Sequence, residues 1–201
     1  LLRFATEAEL KDAFSFDSEL FWISRDVPYQ FAREPLTTTE ADQLANACET
    51  LEDRLVIWTL LDTGLRVSEL CALTRESIQW QEKAMRIKGK GGAHGKGNKH
   101  RVVPMSLRVR TLLDPYFTLH ERWFAGERQM QKIVKRVANR AGIRHPVTPH
   151  VLRHTWATTA LQKGLSLPTV QKILGHNRLT TTAIYLNFTD THVLEEFARK
   201  W

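Results

Sequence analysis

Between Ile78 and Pro104 the periodicity of the chain switches, and that switch limits what the whole can fold into. Ile78 and Trp80, Met85 and Ile87, and Val102 and Val103 read as short strands set around turns rich in Gly and Lys, with Pro104 closing the last of them. On both sides the apolar spacing is helical. Thr37 and Glu40 stand at the capping-box interval, where each satisfies the other's unpaired backbone donor, which predicts a helix over about Thr38 to Cys48. A more apolar helix is predicted over about Glu52 to Asp62, stopped by Gly64, and another begins within Ser68 to Leu73. Helical period resumes at Ser106. Ile133, Val134, Val137, Ala138 and Ala141 form one apolar face, with Lys132, Lys135, Arg136 and Arg140 on the other. Thr148 then Pro149 is an N-cap followed by proline in the first helical position, opening a helix to about Gly164, and Pro168 begins the next. The pattern predicts a mostly helical α+β fold, its helices packed around one small antiparallel sheet.

With 201 residues, 42% of them hydrophobic and 25% charged, the chain can bury one core but not several. Its most apolar stretch, Leu55 to Leu61, is far short of the roughly 20 residues a membrane span needs. Cys48 and Cys71 sit inside apolar patterns, which excludes a disulfide framework and a Cys-rich zinc scaffold and fits a reducing, intracellular setting. Residues 1–34 are acidic and spotted with aromatics, with Pro28 and Pro35 as breaks; they read as an arm or the remnant of an upstream domain. The lack of an initiating Met and of a signal-peptide pattern leads us to expect a piece of a longer chain.

Charge is unevenly spread. The formal net charge is +7, but residues 1–53 hold a balance of −8 and the other 148 a balance of +15. Such a cationic stretch points to a polyanionic partner. Nucleic acid leads, because neutralising its phosphates releases counterions and drives binding. A basic protein without such a partner is the alternative.

His150 and Arg153 lie three apart at the start of the helix that Thr148 opens, so they share a helical face beside unpaired amides and the positive end of the dipole. Together they suit one phosphate: the arginine grips two oxygens and the histidine donates or shuttles a proton. Alone, a surface His–x–x–Arg pair is common. It is joined here by Leu-Gly-His at Leu174 to His176 with Tyr185 nine residues later, by Thr-Gly-Leu-Arg-Val-Ser-Glu-Leu at Thr63 to Leu70, and by Gly-Lys-Gly-Asn-Lys-His-Arg-Val-Val-Pro at Gly95 to Pro104.

These four motifs, in this order, resemble the tyrosine recombinase (phage integrase) family over about Thr37 to Tyr185. The resemblance implies that residues 35–189 are a catalytic domain in which Arg66 is the first catalytic arginine and Glu69 supports the site. His150 and Arg153 become the family's His–x–x–Arg pair, His176 the late histidine (Trp in some members), and Tyr185 the nucleophile. The family's catalytic lysine lies in a turn between two strands. That turn is long here and offers Lys90 and Lys96; counting forward from Met85 selects Lys90, counting back from Arg101 to Pro104 selects Lys96, and Lys96 is our expectation. Residues 190–201 are expected to form a tail helix with Val193, Leu194, Phe197 and Trp201 on one stripe, which either folds back or docks on a neighbouring protomer.

Elementary chemistry agrees with these roles. A tyrosine hydroxyl, pKa about 10, is a poor nucleophile unless a base or clustered positive charge assists it. Attack on a phosphodiester moves negative charge onto the non-bridging oxygens, where two fixed arginines stabilise it, and a lysine or histidine protonates the departing 5′ oxygen. No step requires a metal, and the sequence carries no convincing cluster of acids and histidines at ligand spacing, so neither metal nor other cofactor is expected.

The resemblance further implies cleavage of one strand of a specific site in double-stranded DNA, a 3′-phosphotyrosyl intermediate, and exchange by four protomers on two sites. The long basic turn favours integration and excision of a mobile element. Xer-type dimer resolution, type IB topoisomerase-like relaxation and a non-catalytic DNA-binding module are the alternatives. We expect most of the family's N-terminal core-binding domain to lie outside this sequence, and therefore weak, salt-sensitive DNA binding by this chain alone. Plainer roles compete at individual residues. Arg66 can be a surface ion-pair partner of Glu69, His176 a helix cap, and Tyr185 a half-buried helical tyrosine. His154 is expected to be structural, His94, His100 and His145 solvated, and Tyr29 and Tyr116 lack the Leu-Gly-His spacing.

Overall fold

The structure, a computed structural model, describes residues 34–89 and 100–175. The arm up to Arg33, the turn holding Lys90 and Lys96, and the segment with His176, Tyr185 and the tail at 190–201 lie outside the described residues.

Seven α-helices are found among the described residues: α1 (Thr38–Asn46), α2 (Leu51–Thr63), α3 (Val67–Cys71), α4 (Leu107–Leu119), α5 (Glu127–Arg140), α6 (Pro149–Gln162) and α7 (Leu167–Leu174). The sheet lies between α3 and α4. Its strands β1 (Ile78–Gln79), β2 (Ala84–Lys88) and β3 (His100–Pro104) pair antiparallel in sequence order. The mostly helical α+β expectation holds, and the predicted starts and stops fall within two or three residues. The Thr37–Glu40 capping box is formed, and Thr148 caps α6 with Pro149 in its first turn. The first helix stops at Asn46, short of the expected Cys48, which is buried beside it with its thiol donating to the Leu44 carbonyl at 3.6 Å. Burial pushes the Cys48 thiol up to about 11, so it packs as an inert apolar group.

α2 organises the core. Leu55, Val56, Ile57 and Leu60 are almost fully buried, and apolar side chains leave the helix on nearly every side, as a helix surrounded by others requires. It packs against α1, α4, α5 and α6. α5 is the opposite case: Met130, Ile133, Val134, Val137 and Ala138 face inward, while Lys132, Lys135, Arg136 and Arg140 stay exposed. Two of these cations turn back to the N-terminus of α2. Arg136 and Arg140 both pair with Asp53, which is fully buried and whose backbone amide donates to the N-cap Thr50 side chain.

Strand register decides what reaches the site. Met85 opposes Val103 and Ile87 opposes Arg101. Met85, Ile87 and Val103 are buried, so Arg101 stands on the inward face of the sheet, while His100 and Val102 are exposed. The sequence reading gave Val102 and Val103 equal weight; the pleat sends only Val103 into the core.

α2 ends on Gly64 in the left-handed region, φ 61°. A Cβ there would lie 2.7 Å from Trp156 Cε3 and 2.8 Å from Cδ2. Gly64→Ala is therefore expected to cost about 2–4 kcal/mol, combining left-handed strain with overpacking against the indole. Urea unfolding measures this; a loss under about 1 kcal/mol would mean the ring moves aside freely.

Candidate active site

The site begins with a local accident of helix geometry. Arg66 is the N-cap of α3 and Glu69 its third residue, so the Glu69 carboxylate reaches back to the Arg66 backbone amide at 2.8 Å. The same carboxylate accepts from the Arg66 side chain, Nη1 to Oε1, at 2.9 Å. From β3, Arg101 adds a two-pronged contact, Nη1 to Oε1 at 2.8 Å and Nη2 to Oε2 at 2.7 Å. Arg153 Nη1 stands 3.9 Å from Glu69 Oε2. Three guanidiniums from α3, β3 and α6 thus surround one carboxylate, an excess of positive charge suited to an anion.

A second centre is the C-terminus of α7. The Leu174 carbonyl accepts from Arg66 at 3.3 Å and from Arg153 at 2.7 Å, and the neighbouring Ile173 carbonyl accepts from Arg101 at 2.6 Å. These are orphan carbonyls of a helix end, and cations there are favourable. Arg153 also donates to the Gly64 carbonyl at 2.6 Å, where α2 terminates. Arg66 and Arg153, far apart in sequence, therefore meet on Leu174, two positions before His176.

Burial divides the cluster. Side-chain exposure is 41% for Arg66 but 4% for Arg153 and 10% for both Glu69 and Arg101. Arg66 is the guanidinium that water and a ligand can reach most readily. His150 and Arg153 share a helix start as expected, but His150 is exposed while Arg153 is pulled inward by the Gly64 and Leu174 carbonyls. The structure thus brings Arg66, Glu69 and Arg153 together and sets His150 one turn earlier on α6. Lys96, Lys90, His176 and Tyr185 lie outside the described residues.

Arg101 was missed as a site residue. Its signal was present: it alternates with Val103 on a strand whose inward face is apolar, and an inward arginine needs a partner. His145, expected in solvent, is half-buried and pairs with Glu40 at 3.0 Å. Tyr116 is buried with its hydroxyl donating to the Arg122 carbonyl at 2.8 Å, a core role consistent with its exclusion as nucleophile.

Burial pushes the Glu69 carboxyl up, but the Arg101 hydrogen bonds, the Arg66 amide and both guanidinium charges outweigh it and hold the group below its ordinary 4.5. Asp53 behaves likewise: burial is outweighed by hydrogen bonds from Arg136 and Arg140, and it lies below 3.8. His154, buried as expected of a structural residue, is lowered from 6.5 by desolvation and then by the charge of His150. All three shifts work in one direction. Below pH 6.5 the unfolded chain takes up a proton that folded His154 resists; below 4.5 and 3.8 it does the same at Glu69 and Asp53. The melting temperature is therefore expected to fall on acidification in two stages, and His154→Asn to flatten the first. Calorimetry across pH 7 to 3 checks this; a first stage unchanged by the substitution would assign it elsewhere.

A mostly helical domain that gathers guanidiniums around a buried carboxylate and a helix end is built to receive an anionic group. Residues 34–192 match the phage integrase family, and the chain belongs to that family. It is 32% identical over 203 positions to tyrosine recombinase XerA of Pyrococcus horikoshii, an alignment covering 92% of this chain and 69% of that protein. With XerA of Pyrococcus furiosus the identity is 36% over 180 positions, covering 82% and 60%. The crystal structure of a XerA recombinase superposes with a TM-score of 0.70 at 29% identity, over 83% of this chain and 65% of that one. The chain thus spans between 60% and 69% of the length of these two curated relatives.

Proposed function

We propose that the chain is the catalytic part of a tyrosine recombinase that cuts and rejoins double-stranded DNA at specific sites. The Tyr185 oxygen attacks the phosphorus of one strand, the bond to the 5′ oxygen breaks, and a 3′-phosphotyrosyl ester and a free 5′-hydroxyl result. Arg66 and Arg153 receive the charge that grows on the non-bridging oxygens. Lys96, or Lys90 as the alternative, protonates the departing oxygen, with His150 and His176 completing the proton traffic. Glu69 touches no DNA and acts through the arginines. A 5′-hydroxyl from a partner duplex reverses the step, so neither ATP nor a metal ion enters the reaction. Four protomers on two sites complete the exchange, and residues 190–201 link neighbouring protomers.

The observation that carries this reading is the convergence of Arg66 and Arg153 on the Leu174 carbonyl, beside the one carboxylate that holds Arg66. Further support comes from relatives named tyrosine recombinase and from the structure of a XerH site-specific recombinase bound to its difH substrate, 26% identical with a TM-score of 0.67. An intracellular, DNA-associated location fits two free cysteines; among the described residues no helix is long and apolar enough to cross a membrane. The setting we propose is integration and excision of a mobile element, on the strength of the long basic turn. The Xer names of the relatives favour a second setting, dimer resolution.

The test is capture. A pool of nicked duplexes with randomised sequence is incubated with the chain in chelator, and adducts surviving denaturing electrophoresis are recovered and sequenced. A recombinase is expected to select a common sequence and to join a foreign 5′-hydroxyl end to it. Adducts that only reseal their own strand would indicate a topoisomerase, and binding without adducts a non-catalytic module.

A further inference from the structure

Arg101 has no part in the chemistry assigned above, yet it ties the cluster together. It occupies the inward face of β3 opposite Ile87, among Met85 and Val103. An arginine in that place is costly unless its donors are matched. Its fork takes both oxygens of Glu69, at 2.8 and 2.7 Å, and its Nε takes the Ile173 carbonyl at 2.6 Å. One planar group therefore joins the Glu69 carboxylate of α3 to the C-terminal end of α7. Gly175 makes the passage: at φ 68°, a Cβ on it would lie 2.9 Å from Arg101 Cδ and 3.1 Å from Nε.

We propose that Arg101 is a positioning residue that locks the Glu69 carboxylate to the C-terminus of α7, so that Arg66 presents its guanidinium to a DNA phosphate in one fixed orientation. Arg66 reaches Glu69 Oε1 through a single Nη at 2.9 Å, the same oxygen that takes Arg101 Nη1. Without Arg101 both carboxylate oxygens would be held by Arg66 alone, through its amide and one Nη; the two-pronged contact ties the same carboxylate to β3 and, through Nε, to the end of α7. Preorganisation of this kind matters because small displacements of a charge-stabilising donor are expensive in rate. The proposal rests on the recombinase reading given above.

The experiment uses the duplex captured by the unsubstituted chain and follows single-turnover attachment at saturating DNA. Arg101→Ala is expected to slow attachment about 100-fold, and Arg101→Lys, which keeps the charge but not the fork, about 10-fold, with DNA affinity changed by less than about threefold. In a Glu69→Gln background the alanine substitution is expected to cost less than about threefold, because the effect passes through the carboxylate. Attachment by either single variant within about threefold of the unsubstituted rate, or equal losses in both backgrounds, overturns the proposal. Circular dichroism monitors folding, and the lysine variant carries the test if the alanine variant does not fold. If the unsubstituted chain attaches to no duplex, the recombinase reading fails, and Arg101 is judged on the DNA-free protein. By carboxyl NMR the Glu69 pKa is then expected to rise in Arg101→Lys, and an unchanged value overturns the clamp.

Discussion

Arg66→Ala is expected to reduce covalent attachment to DNA about 100- to 1,000-fold, the 2.7–4 kcal/mol that removal of one preorganised donor typically costs. The fold should hardly notice. The Arg66 side chain is 41% exposed, and the carboxylate it leaves behind keeps the two-pronged contact from Arg101. Loss of so exposed an ion pair is worth under about 1 kcal/mol of stability. Arg153→Ala makes the informative contrast. That side chain is 4% exposed and donates to the Gly64 and Leu174 carbonyls, so its loss is expected to remove attachment and also to take the Arg153 donor from Gly64 and leave Leu174 with the longer Arg66 contact at 3.3 Å. Single-turnover attachment together with urea unfolding separates the two. Equal destabilisation by both substitutions would mean that Arg66 is a structural residue.

A large effect on stability is expected far from the site, at Asp53. Its carboxylate accepts from Arg136, from Arg140 at 3.0 Å, and from the backbone amide of Glu49 at 3.3 Å, while its own amide donates to the Thr50 side chain at 3.1 Å. Asp53→Ala removes the meeting point of α2 and α5 and takes the side-chain acceptor from the part-buried amides of Glu49 and Thr50. We expect a loss of about 3 kcal/mol, less than the upper range for a broken buried pair because both arginines can rehydrate. Asp53→Asn should recover part of it, because its one amide oxygen can still accept from Arg140 and the Glu49 amide while its NH2 cannot accept from Arg136. Urea denaturation of the three proteins checks the order; an Asn variant as damaged as Ala would place the effect in the ion pairs alone.

Most helix boundaries were legible because they are written in short-range chemistry. Thr37 with Glu40, Thr148 with Pro149, and Gly64 each act within one turn, and each does in the structure what its spacing implies. The small sheet was legible from its change of period. What resisted was long-range. The pairing of Asp53 with Arg136 and Arg140 joins residues more than 80 positions apart, and no local pattern announces it. Arg101 is the instructive miss at the site. It was used as a landmark for counting toward the lysine, but its inward direction follows only from the register of β2 with β3. Arg153 was expected beside His150 on an accessible face. Its burial depends on where α2 and α7 end, and a helix periodicity contains no such information.

If Tyr185 is the nucleophile, its phenolic oxygen becomes esterified to DNA, and a single comparison decides whether it does. The captured duplex is incubated with the unsubstituted chain and with Tyr185→Phe, and each mixture is run under denaturing conditions after digestion to peptides. The expected result is a DNA 3′-phosphate carried by the peptide containing Tyr185 in the first case and no adduct in the second. An adduct that persists in Tyr185→Phe, or one mapped to another residue, would contradict it.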